Sequence, residues 1–355
     1  MDNRFSSKLS PAMDYGAGAF LLVIAVLSMV GNVLVLVTAF KRFNHMKPPE
    51  LLSVNLAFTD LGAAVTMYPL AIASAWNHGW LGGEASCIYY GLMGFFFGVA
   101  SISTLTIMAV VRFIVSLSLQ SPKEKISKRN MQVLVLCSWL YALLWALFPV
   151  LGWGKYGPEP FGTACSIAWG EITQSSVFII SMFSMNLVIP AIIIIVCYFG
   201  LALKLRIAYK SLNNSNQIPN VIRMQKKLVT IAVLISVGFI GSWTPYAIVS
   251  LWSIFHTSES ISPEVSILPC FFAKTSTVYN PLIYYLFSKN FKREVRELRW
   301  LCGRSNVPGE TKQDNITDNH IYAMCHRSRV KTVAGDQSER KTTEMETKPN
   351  LMECQ

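Results

Sequence analysis

Charge is what this chain has least of. Only 14 % of its 355 residues are Asp, Glu, Lys or Arg, while 52 % are hydrophobic; an average soluble domain carries about a quarter charged residues. Such a composition points to lipid rather than water as the solvent. Motifs of soluble-enzyme chemistry are absent too. There is no Walker loop, nucleophile elbow, paired metal motif or internal repeat, and His45, His78, His256, His320 and His326 are scattered without metal-ligand spacing. Met1 to Gly16 lacks the basic start, short apolar core and cleavage site of a signal peptide, so the first apolar run is expected to be retained as a span.

What the chain does have is long apolar runs. Six are almost free of charge: Ala17 to Phe40, Leu51 to Ala75, Ser86 to Val111, Met131 to Val150, Ser175 to Leu203 and Leu228 to Ile254. A seventh, Val265 to Phe287, contains one lysine. Each meets the roughly 20 residues needed, at about 1.5 Å per residue, to cross a hydrocarbon core about 30 Å thick. The expected fold is all-α, a bundle of seven transmembrane helices over residues 17–288, after an N-terminal segment of residues 1–16.

Lys and Arg crowd the stretches after the first, third and fifth runs, with Lys41, Arg42 and Lys47, then Lys123, Lys125, Lys128 and Arg129, then Lys204, Arg206, Lys210, Arg223, Lys226 and Lys227. The other side has only Arg4, Lys8 and Lys155. The bias predicts a multi-pass protein of the cell membrane with its N-terminus outside and its C-terminus in the cytoplasm. The net charge of +11 then gathers on the cytoplasmic face, where it suits anionic lipid or an acidic partner; nucleic acid is not expected.

After the bundle, residues 289–302 read as a basic amphipathic helix on the membrane surface, with Phe291, Val295, Leu298 and Leu301 at helical spacing. Cys302 at its end is a lipidation candidate, an unmodified thiol being the alternative. Residues 303–355 are polar and expected to be disordered; Thr342, Thr343 and Thr347 could be kinase targets or plain linker. The sequons at Asn213 and Asn315 fall on the inner side and are discounted. The same topology sorts the eight cysteines. Cys137, Cys197 and Cys270 lie in membrane runs, and Cys302, Cys325 and Cys354 face a reducing compartment. Only Cys87 and Cys165 share the oxidising side, so they are expected to form the one disulfide.

An ionisable group at bilayer depth is costly and calls for a function or a partner. Asp60, Arg112 and Lys274 are the three to explain. Lys274 sits mid-run, too deep to reach either surface easily. A desolvated lysine favours its neutral, nucleophilic amine, which condenses with aldehydes to Schiff bases; the plain alternative is a lysine paired with a carboxylate for packing.

In order along the chain stand Gly31-Asn32, Asn55-Leu-Ala-x-x-Asp60, Trp139, Pro190, Tyr198, Trp243-Thr-Pro245-Tyr246 and Asn280-Pro281-Leu-Ile-Tyr284. This set resembles the rhodopsin-like G-protein-coupled receptors through all seven spans. Lys274, six residues before Asn280, matches the opsin hallmark, and Pro158-Glu159-Pro-Phe-Gly-Thr-Ala-Cys165 with Gly94-Phe-Phe-Phe-Gly98 is most similar to the neuropsin-type non-visual opsins. The resemblance implies a retinal chromophore, 11-cis or all-trans, held covalently by Lys274. It also implies a chromophore box of Tyr90, Gly94, Gly98, Phe239, Trp243, Tyr246 and Cys270, although small and aromatic residues at helical spacing are as often plain packing.

A protonated Schiff base needs an anion. Where vertebrate visual opsins have a third-helix glutamate, this chain has Tyr90, so Glu159 is the expected counterion; an exposed loop carboxylate is the alternative reading, and Glu84 a weaker substitute. A loop counterion resembles the bistable pigments. Signalling would pass through Arg112, Asn280, Pro281 and Tyr284 to a heterotrimeric G protein, with receptor kinase and arrestin engaging the tail. Asp60 resembles a sodium-linked residue, a packing network with Asn32 and Asn280 being the alternative.

Two departures stand out. The family's acidic-Arg-aromatic triplet is Val111-Arg112-Phe113, and the acidic residue usual at the inner end of the sixth helix is Gln225. Arg112 is therefore expected without its usual carboxylates. That predicts raised light-independent signalling, and it keeps open a second reading, a retinal photoisomerase with weak or no coupling. A receptor for a diffusible ligand is a third, which leaves Lys274 unexplained.

Overall fold

The computed structural model describes residues 3–117, 126–168, 172–213, 220–255 and 262–304. Its elements run α1 Pro11–Lys41, α2 Glu50–Trp76, α3 Gly83–Leu117, α4 Lys128–Leu147, a hairpin of β1 Tyr156–Pro158 and β2 Cys165–Ile167, then α5 Ile172–Phe183, a π turn Ser184–Val188, α6 Ile189–Asn213, α7 Asn220–Phe255, α8 Pro263–Phe287 and α9 Lys289–Arg304. Lys123, Lys125, the Asn315 sequon and the tail from residue 305 lie outside the described residues, as do residues 214 and 215 of the other sequon and the side chains of Arg223, Gln225 and Cys302.

Among the described residues, six helical stretches are long and apolar enough to cross a membrane, α5 to α6 counting as one. The seventh, α8, carries Glu264 and Lys274 besides Pro263, Pro269 and Pro281. Large apolar side chains cover the outside of the bundle; Val23, Leu140, Ile195, Phe199 and Val237 are all more than half exposed. That surface suits lipid and would be costly in water.

Local signals set the helix ends. Ser10 accepts a hydrogen bond from the Met13 amide ahead of Pro11, and Ser127 accepts one from Asn130, so side chains satisfy first-turn amides that have no helical partner. Helix α3 runs through the middle, packed on α2, α4, α6, α7 and both hairpin strands, whereas α8 packs on α1, α2 and α7.

The motif residues hold these contacts. Pro281 has no N–H, so the carbonyl one turn before it, Thr277 O, loses its helical donor; Asn32 Nδ2 (3.0 Å) and Ser28 Oγ (3.4 Å) donate to it from α1. A Cβ on Gly31 would stand 2.8 Å from Pro281 Cβ, so glycine allows this close approach. Trp139 donates to Asn55 Oδ1 and Asn55 donates to Thr104, both at 2.8 Å, tying α2, α3 and α4 together.

The chain divides into two units, Met1–Glu297 and Leu298–Gln355. In the first, Phe291 and Glu294 of α9 are buried, and Arg42 Nε at the end of α1 lies 2.8 Å from Glu294 Oε1. In the second, the described residues continue the helix to Arg304.

Candidate ligand site around Lys274

Lys274 is positioned from both its backbone and its amine. Tyr68 of α2 donates from Oη to the Lys274 carbonyl (2.9 Å) and stands 3.0 Å from Thr277 Oγ1. The Nζ of Lys274 lies 5.3 Å from the centroid of the Tyr90 ring, a cation–π distance. Tyr90 is 1 % exposed, and its hydroxyl lacks a hydrogen-bond partner of good geometry. Cys270, one turn before the lysine, is buried as well.

The hairpin brings the carboxylate. Cys165 begins β2 and is bonded to Cys87 at the start of α3, the pair the sequence singled out. Pro158 pairs with Cys165 in the antiparallel register, so Glu159 leaves β1 directly over the end of α3. The turn beyond closes with Glu159 N donating to Ala164 O (2.8 Å) and Gly162 N to Glu159 O (2.9 Å). Gly162 takes a φ of +85° there, with Ser6 O against the place a Cβ would occupy, so only glycine fits.

Glu159 is 7 % exposed and accepts a 2.7 Å hydrogen bond from Tyr246 Oη. It is not a solvated loop residue. Burial pushes its carboxyl above the ordinary carboxylate range, opposed by hydrogen bonds from Ser166 and Tyr246 and by the charge of Lys274.

Lys274, Glu159 and the rest line one cavity. It encloses about 1260 Å³ of space free of atoms, part of it continuous with the outside, and its walls include Tyr90, Gly94, Gly98, Phe239, Trp243, Tyr246 and Cys270. Every residue expected in the box is therefore at the wall. At Gly98 a Cβ would reach Trp243 at 3.4 Å, whereas at Gly94 it would meet the flexible end of Met67 at 2.7 Å. Both glycines leave room beside larger neighbours. The wall is mostly apolar with a few polar groups, as in ligand pockets generally.

Asp60 also reaches this cavity, and Asn280 donates to it at 2.6 Å. Asn32 bonds to Ser28 and Thr277, so the three polar residues form two separate pairings rather than one network. Among the described residues no cluster of three or more His, Cys, Asp or Glu could hold a metal ion.

Toward the α9 end, Arg112 Nε, Tyr198 Oη and Tyr284 Oη are buried without good hydrogen bonds. Among the described residues, the groups acting electrostatically on Arg112 are Tyr198 and Tyr284. Val111 beside it is 3 % exposed.

Tyr68 and Asn186 are among the cavity residues that escaped sequence reasoning. Tyr68 has no helical-period signal separating it from core packing. Asn186 did have one: an amide within an apolar run calls for a partner as an ionisable group does.

The family of seven-transmembrane receptors of the rhodopsin family matches residues 31–284. Human Opsin-5 is 35 % identical over 325 residues, which cover 90 % of this chain and 89 % of that protein. Mouse visual pigment-like receptor peropsin is 32 % identical over 278 residues, 78 % of this chain and 82 % of the other. The crystal structure of squid rhodopsin superposes with a TM-score of 0.76 at 28 % identity, covering 82 % of each chain. The protein is an integral membrane protein that belongs to the rhodopsin family of seven-transmembrane receptors and, within it, to the opsins.

Proposed function

We propose that this opsin is a non-visual, bistable light receptor that holds retinal through the Lys274 amine, uses Glu159 as the compensating anion and signals through a heterotrimeric G protein. The observation that carries the reading is the shared cavity. An amine and a carboxylate converge there at a mostly apolar wall, the carboxylate on a hairpin tied covalently to α3.

The residues present fit the chromophore. Gly94 and Gly98 keep the wall open along α3, and Phe239, Trp243 and Tyr246 form an aromatic side along α7. When bound, retinal supplies absorption of light and a change of shape. Lys274 would fix one end of it. Glu159, oriented by Tyr246, would balance a cationic Lys274 nitrogen that a low-dielectric cavity could not otherwise hold. Tyr90 gives that nitrogen an aromatic face rather than a second anion, and the loop position of the anion supports retention of both retinal isomers.

Trp243, whose ring is 5.9 Å from Phe239 and 6.0 Å from Tyr246 between centroids, would turn wall movement into motion of α7. That helix contains Pro245, where the missing N–H gives a kink point. Each shape of ligand would then favour a different one of two bundle arrangements. Signalling is assigned to the face bearing Arg112 and α9, taken as cytoplasmic from the lysine and arginine bias; receptor kinase and arrestin are assigned to the tail. A sodium ion at Asp60 and a lipid at Cys302 complete the assignments.

One observation favours a second reading. Among the described residues Arg112 has no carboxylate partner, and a retinal photoisomerase would need only the cavity and Lys274. The test is reconstitution with 11-cis-retinal and, separately, all-trans-retinal, with spectra before and after illumination beside Lys274→Ala. A light-sensitive pigment is expected, lost in the variant. Folded protein that yields no pigment with either isomer would sink the reading. Light-driven nucleotide exchange on a G protein, against net turnover of free retinal, separates receptor from isomerase.

A further inference from the structure

We propose that the side of the cavity formed by the π turn is built to bind a polar ring substituent, so that this opsin prefers a ring-hydroxylated retinal to retinal itself, with Asn186 as the residue that recognises the hydroxyl. The inference rests on the retinal reading above.

Asn186 lies in the π turn Ser184–Val188, is 7 % exposed and lines the cavity beside Met182, Phe183 and Leu187. Its Nδ2 donates to the Met182 carbonyl at 3.1 Å. That bond fixes which end of the amide is free, and Oδ1 is buried with no partner. A buried carbonyl oxygen left unsatisfied carries a full desolvation cost. In a mostly apolar wall at membrane depth such a group wants a donor.

The amide's place in the fold says which part of a ligand would bring that donor. Helix α8, bearing Lys274, packs on α1, α2 and α7, whereas the π turn packs on α3, α5 and α6. The cavity lies between them. A retinoid fixed by its aldehyde carbon at Lys274 must therefore extend its ring end toward Asn186. Plain retinal has only C–H groups there and leaves the oxygen unpaired, while a ring hydroxyl donates to it. The terminal torsion of Asn is broad, so a small turn of the amide can present Oδ1 to a donor while Nδ2 stays within reach of Met182 O. Trp243, another residue of the cavity wall, likewise has its Nε1 buried without a hydrogen bond.

The test is a competition. Full-length protein in membranes is incubated in the dark with an equimolar mixture of all-trans-retinal, its 3-hydroxy and its 4-hydroxy derivatives, then again with the 11-cis set. Bound chromophore is extracted with hydroxylamine and quantified by chromatography. One hydroxylated form should be enriched about three- to tenfold over retinal, the range of one neutral hydrogen bond. The enrichment should vanish in Asn186→Leu and in the smaller change Asn186→Ala, with total pigment retained in at least one.

Wild-type pigment with no enrichment overturns the proposal, and would mean that a water satisfies Oδ1. Enrichment that persists in a pigment-forming Asn186 variant overturns it as well. Absence of pigment with every aldehyde overturns the retinal reading itself, and is distinguishable because no chromophore is recovered at all.

Discussion

At the hairpin end of the bundle, most buried polar groups pair with one another, the Tyr90 hydroxyl being an exception. Tyr246 donates to Glu159, the Cys87–Cys165 bond pins the hairpin, and Asp14 accepts from Ser7 at 2.9 Å and pairs with His78 at 3.0 Å. The N-terminal segment is woven in as well: Trp80 N donates to Phe5 O, Ser7 N to His78 O and Lys8 N to Phe161 O. At the α9 end, Arg112, Tyr198, Ser236 and Tyr284 each bury a polar atom without a good hydrogen bond. The contrast teaches where this molecule can move. Groups already paired resist rearrangement, whereas buried groups lacking partners gain by any shift, or any bound partner, that supplies them. The hairpin end is the more fully paired of the two.

The largest test removes the disulfide. Cys87→Ser should cost about 2–5 kcal/mol and abolish pigment together with most surface expression, checked by immunoblot and spectroscopy; a Cys87→Ser pigment of wild-type yield would show that the hairpin is held without its covalent tie.

Next comes the anion. Because burial raises the Glu159 pKa, the folded protein binds this proton more readily than the unfolded chain. The ligand-free protein should gain stability as pH falls through the raised value and lose that gain as pH rises. Glu159→Gln should erase this dependence and raise the ligand-free melting temperature at neutral pH by a few degrees, followed by thermal scans across pH. In the pigment the same change should shift the absorption maximum. An unaltered spectrum would remove Glu159 from the counterion role.

At the α9 end, Val111→Glu offers Arg112 a carboxylate. Light-independent nucleotide exchange should fall about fivefold or more. Dark activity already at background in a light-responsive protein would mean that Arg112 is restrained by other means. The smallest effect is expected at the rim, where Arg42→Ala breaks a pair with Glu294 in which the Arg42 side chain is 42 % exposed. Such pairs are worth under about 1 kcal/mol, so a stability loss above that, read by denaturation in detergent, would show that α9 anchors the bundle.

Much was legible because lipid simplifies the problem. Apolar runs of spanning length become helices when no water is present to satisfy the backbone. For the same reason a lone lysine in such a run is conspicuous. Cys87 and Cys165 followed from topology, whereas Glu159 was singled out only through the resemblance to opsins, and its burial was not legible. The pairing around Asp60 was less legible: it names Asn280 but not Asn32, because Pro281 frees a carbonyl that Asn32 takes. The π turn was invisible, since one extra residue in a turn leaves hydropathy unchanged.

Composition and order alone determined that this chain crosses a membrane seven times and carries an amine in the last span, because burial without water leaves each run one stable local structure. Only the tertiary structure decided that the hairpin turns Glu159 inward, that Tyr68 grips the Lys274 carbonyl and that Asn186, a cavity-lining residue, buries its side-chain oxygen without a hydrogen bond. Those outcomes depend on distances between residues far apart in the chain, which packing sets and hydropathy does not encode.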